Sequence, residues 1–120
     1  MFFTPLILSS SGPVPAKMNC TSAQINLDNE RKTLYKDVQQ AYYNAVAAET
    51  AYNSSVAAAE SAEEAYRLAE AKYARGLASS TDFAEARTNR ATAISTKIRY
   101  KYEMVFRTKI LDFYRGVEIE

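Results

Sequence analysis

Between Leu34 and Tyr73 the chain places apolar or small residues at Leu34, Val38, Ala41, Ala45, Ala48, Tyr52, Ser55, Ala59, Ala62, Tyr66, Ala69 and Tyr73. The steps alternate four and three without a miss, the period of a coiled-coil seam. Half of these residues are alanine, which lets helix axes approach closely. The tyrosines fill wider gaps while their hydroxyls reach water or a polar partner. A second stripe, Ala91, Ile94, Ile98, Tyr102, Phe106, Ile110 and Phe113, is bulkier. Its steps average about 3.7 residues, which predicts a straight or slightly right-handed course in place of a tight left-handed supercoil.

Helix breakers set the boundaries. The prolines are Pro5, Pro13 and Pro15, and the glycines are Gly12, Gly76 and Gly116. The pattern therefore predicts helices over 22–74 and 80–114 with a turn over 75–79, since Gly76 suits the C′ position and Ser79 with Asp82 forms an acidic variant of the capping box. So short a turn forces an antiparallel arrangement. The expected fold class is all-α, a long helical hairpin of coiled-coil type over 22–116. At 1.5 Å per residue its helices would span roughly 80 Å and 52 Å, so that the first overhangs the second. A hairpin of that length leaves much of its apolar surface wet, which calls for neighbouring helices from other chains or from another part of the parent.

The flanking segments read differently. Phe2 to Leu8 is too short to span a membrane and lacks the basic start of a signal peptide, and Ser9 to Pro15 suits a loop. Residues 1–21 are thus expected to be an irregular leader or a truncation scar, and 117–120 a tail.

Composition narrows function more than it suggests one. The chain has 120 residues, enough for one domain, and much of its 48% hydrophobic content is alanine, which favours long packed helices over a compact core. Fifteen basic and fourteen acidic residues leave a net charge of +1, removing the simplest argument for nucleic-acid binding. There is no histidine, and the one cysteine is Cys20, so neither a zinc site nor histidine-based acid/base catalysis can be built. With no Gly-rich loop or nucleophile elbow, the expectation is a non-enzyme without cofactor or metal. Acidic residues dominate 37–70 and basic residues 87–115. In antiparallel register Glu60, Glu63 and Glu64 fall opposite Arg87 and Arg90, as register-setting pairs worth a few tenths of a kcal/mol.

Three stretches carry a family resemblance. The tip reads Tyr73-x-x-Gly76-x-x-Ser79-x-x-Asp82-x-x-x-Ala86, and it is preceded by Glu63-Glu64-Ala65-Tyr66-Arg67 and by Val38-Gln39-Gln40-Ala41-Tyr42-Tyr43-Asn44-Ala45. The chain ends Phe106-Arg107-Thr108-Lys109-Ile110-Leu111-Asp112-Phe113-Tyr114-Arg115-Gly116. Together these resemble the C-terminal part of TolC-type outer membrane efflux proteins, especially the branch common in Bacteroidetes, over about residues 22–116. The resemblance implies a homotrimeric conduit in the cell outer membrane, with strands in a β-barrel and long helices in a periplasmic α-barrel. It works with a periplasmic adaptor and an inner membrane pump.

On that resemblance the chain is expected to be a fragment of an efflux or secretion channel subunit whose membrane strands lie outside it. It would supply tunnel wall through the seam Ala41, Ala45, Ala48, Tyr52, Ala59, Ala62, Tyr66 and Ala69. Arg75, Gly76, Leu77 and Ser79 resemble the tip that meets the adaptor, although any helical hairpin needs such caps. Tyr73 corresponds to a tyrosine that in some members helps close the aperture, and it equally suits a plain seam. Asp82 and Glu85 are similar to an acidic pair that can ring the entrance, or Asp82 is simply a helix cap. Ala78 stands where some members carry an arginine, so that charged lock does not transfer. The alternatives are a free-standing coiled-coil interaction module or the hairpin of an adaptor. The latter calls for β-rich flanks, and none is legible.

Overall fold

The structure, a computed structural model, describes residues 13–116. It contains two helices, α1 (Pro13–Ala74, 62 residues) and α2 (Ser80–Tyr114, 35 residues). The first begins ahead of the expected Ser22. Prolines are tolerated in a first helical turn, where the backbone N–H has no intrahelical partner, and Ala16, Lys17 and Met18 then favour helix. The segment 13–21, expected to be irregular, is therefore helical. Residues 1–12 and 117–120 lie outside the described residues, and with them the rest of the expected leader and the tail.

The chain divides into two units, 1–39 and 40–120. The described part of the first is helix throughout, and Met18, Ile25, Leu27, Leu34 and Tyr35 along it are exposed. Thr21 and Thr33 donate their hydroxyls to the carbonyls four residues back, Lys17 and Asn29, each at 2.9 Å.

The second unit holds the antiparallel hairpin. Its core is thin: Ala41, Ala48, Ser55 and Ala59 are buried, while Ala45, Tyr52, Ala62, Tyr66 and Ala69 are half-buried. Ser55 is accommodated because its hydroxyl donates to the Tyr52 carbonyl at 2.6 Å, leaving no orphaned polar group at the seam. The small residues decide how closely the helices approach, and the half-buried Tyr52 and Tyr66 add bulk beside them.

On α2 the structure corrects the sequence reading. The residues turned toward α1 are Phe83, Ala86, Arg90, Ala93, Lys97, Tyr100, Met104, Arg107 and Leu111, all half-buried and spaced alternately three and four apart. This is a heptad seam, matching that of α1. Of the predicted stripe, Ala91, Ile98, Tyr102, Phe106 and Phe113 are instead exposed, Tyr102 at 71%. Bulk was a poor guide here because the true seam uses Arg90, Lys97 and Arg107. Their aliphatic stems cover apolar surface while their heads reach solvent or a partner.

Candidate functional site

The apex of the hairpin is built by two complementary caps. At the end of α1 the Leu77 N–H donates to the Lys72 carbonyl at 2.8 Å and the Gly76 N–H to the Tyr73 carbonyl at 3.0 Å. These are the two bonds of a Schellman motif, which requires a left-handed residue at C′, and Gly76 supplies it with φ 73°. An added Cβ at Gly76 would meet nothing within 4 Å, so only the backbone conformation demands glycine there.

At the start of α2, Ser79 is the N-cap, in extended conformation. Its hydroxyl accepts from the Asp82 N–H at 3.1 Å, and the Asp82 carboxylate accepts from the Ser79 N–H at 3.3 Å. Asp82 is thereby engaged as a helix cap, with the rest of its carboxylate exposed. Glu85, one turn on, is exposed as well.

Between the caps sits Leu77, 73% exposed. In a Schellman motif the residue at C″ often folds back on an apolar residue at C3. Here C3 is Lys72, which offers no such cover. The turn is rigidly bonded and yet presents a bare leucine at its summit, flanked by exposed Arg75.

Below the apex an aromatic and ionic ladder ties the helices together. The Tyr73 ring stacks on Phe83 with centroids 5.0 Å apart and planes 11° apart, and Phe83 also meets Tyr66 at 5.7 Å. The Arg90 guanidinium lies 4.7 Å from the Tyr66 ring centroid and pairs with Glu63. Among the described residues this is the ion pair that joins the two helices. Glu64 pairs along its own helix with Arg67 at 3.5 Å. The sequence reading missed Phe83. Its position four residues after the N-cap, with Ala78 just before that cap, is the signal that marks it as an anchor.

No helix of the described residues is long and apolar enough to cross a membrane. What the geometry defines is a coiled-coil hairpin with a capped apex, a narrow alanine seam and a bulky face left open. Residues 16–114 match the family model of the outer membrane efflux proteins, and the chain belongs to that family. Its members are channels, which makes this chain an outer membrane efflux channel component with a periplasmic part. No curated protein and no solved structure matches the chain.

Proposed function

We propose that the chain supplies a length of periplasmic tunnel wall to a homotrimeric export channel, and that its apex docks a periplasmic adaptor coupled to an inner membrane pump. The observation that carries the docking reading is Leu77, 73% exposed on a turn whose backbone is fixed from both sides. A preorganised apolar knob loses little conformational entropy on binding, and a helical partner can bury it at once. Arg75 and Ser79 offer polar contacts beside it.

Around the same end, Tyr73, Asp82 and Glu85 are the candidates for the aperture. Threefold repetition of the exposed Asp82 and Glu85 carboxylates would concentrate negative potential and favour cations at the entrance. Tyr73, held flat on Phe83, would be a fixed ring in such a constriction.

The test is a photo-crosslinking residue at position 77 in cells that export through this channel. It should capture a periplasmic adaptor, whereas the same residue at Ser61, on the outer flank of α1, should not. Failure to capture an adaptor from position 77, with the protein correctly assembled, would sink the docking reading.

A further inference from the structure

We infer that Phe83 is a positioning residue for the aperture: it holds the Tyr73 ring in one orientation from within its own hairpin, and so sets the resting width of the constriction. The inference rests on the reading of Tyr73 as an aperture residue and adds what fixes the ring there.

Tyr73 needs such a support. It stands one residue before Ala74, the last residue of α1, and helix ends are the first part of a helix to fray. It is 46% exposed, too open to be held by burial. Among the described residues, Phe83 is the one ring that Tyr73 meets. The two planes are 11° apart, so the contact is a flat stack. A flat stack restrains the ring plane as well as the ring position, because turning the tyrosine about its own axis destroys the overlap. Such a pair favours the ordered orientation about two- to tenfold over a ring left free.

Phe83 can do this because it is itself held. Its N–H donates to the Ser79 carbonyl at 3.1 Å, closing the first turn of α2, and the capping box of Ser79 and Asp82 fixes that turn. Seven residues separate Tyr66 from Tyr73, about 10.5 Å along the helix axis. A ring 5.7 Å from the first and 5.0 Å from the second therefore lies between them. Ala69, the seam residue between those tyrosines, is small enough to leave the gap.

The support continues away from the apex. Tyr66 faces the Arg90 guanidinium, which pairs with Glu63. Glu63, Arg90, Tyr66, Phe83 and Tyr73 thus alternate between α1 and α2, each held by the opposite helix. A ring fixed in this way needs no contact from a neighbouring copy to keep its orientation. Leucine at position 83 would fill the same gap and offer no face to stack on.

The test uses the assembled channel that carries this chain, with a fluorinated tyrosine at position 73. In fluorine NMR the wild-type channel should give one narrow resonance displaced by the Phe83 ring. Phe83→Tyr should keep it, and Phe83→Leu should move it toward the free amino acid. An unmoved resonance in Phe83→Leu overturns the inference, whatever the channel does.

Single-channel recording supplies the second readout. Tyr73→Ala should raise the resting conductance several-fold, Phe83→Leu should raise it too, and Phe83→Tyr should not. The double variant of Phe83→Leu with Tyr73→Ala should match Tyr73→Ala alone, because a residue that acts through Tyr73 has nothing left to act on. A double variant that exceeds Tyr73→Ala by the full Phe83→Leu factor would mean a general loosening of the hairpin and overturn the inference. So would a Phe83→Leu channel at wild-type conductance beside a raised Tyr73→Ala channel. An unchanged Tyr73→Ala channel would instead sink the aperture reading, and the inference with it.

Discussion

The ring of Tyr73 lies flat against that of Phe83, 5.0 Å away and tilted by 11°, so that the last turn of α1 and the first turn of α2 share one aromatic stack. Phe83 meets Tyr66 as well, and Tyr66 in turn faces Arg90. The apex is therefore held by side chains below it as well as by the backbone bonds within it.

Removing the centre of that stack should be costly for so slight a core. Each aromatic pair contributes about 0.5–1.5 kcal/mol beyond its buried area, so Phe83→Ala should destabilise the hairpin by about 1–3 kcal/mol. Phe83→Tyr should stay near wild type. Urea unfolding followed by circular dichroism checks both, and a Phe83→Ala variant that melts like wild type would remove the stack as a determinant.

Gly76 should respond to backbone chemistry alone. Gly76→Ala places a side chain in open space but in a left-handed conformation, and is expected to cost about 1–2 kcal/mol, whereas Gly76→Asn should cost less. Thermal melts of the two variants order them.

The cross-helix pair Glu63 and Arg90 lies 27 positions apart in sequence and is partly exposed. A double-mutant cycle with Glu63→Gln and Arg90→Met should return a coupling of up to about 1 kcal/mol, reduced by added salt. The single change Arg90→Met should lose more than the coupling, because the cation also faces Tyr66.

Two alanines separate the inner and outer surfaces of α1. Ala59→Leu forces bulk into the seam and should cost about 1–3 kcal/mol. Ala57→Leu, on the outer side, should leave stability within about 0.5 kcal/mol in urea unfolding. Equal effects of the two would mean that α1 has no such distinction of faces.

Asp82 and Glu85 should separate a capping role from an electrostatic one. Asp82→Ala loses the carboxylate half of the capping box and should destabilise by about 0.5–2 kcal/mol, while Glu85→Gln should not. If both line an aperture, either neutralisation lowers cation preference in single-channel recordings, whatever its effect on stability.

The two long helices and their hairpin arrangement were legible in the sequence because each depends on local rules, although Leu34 and Tyr73 at the ends of the expected seam are exposed. A strict heptad in which half the positions are alanine suits close packing against another helix. A lone Gly76 between long runs of helix formers stops one helix, and Ser79 with Asp82 starts the next. The opposition of Glu63 and Arg90 followed from counting outward from that turn. What the sequence could not decide was which side of α2 faces inward, because two apolar stripes lie on nearly opposite faces and propensity is indifferent between them. Only packing chose. The seam needed residues thin enough, or long and flexible enough, to lie against an alanine ridge, and Ala86, Ala93, Lys97 and Arg107 met that need better than Tyr102 and Phe106. The bulkier stripe was left exposed.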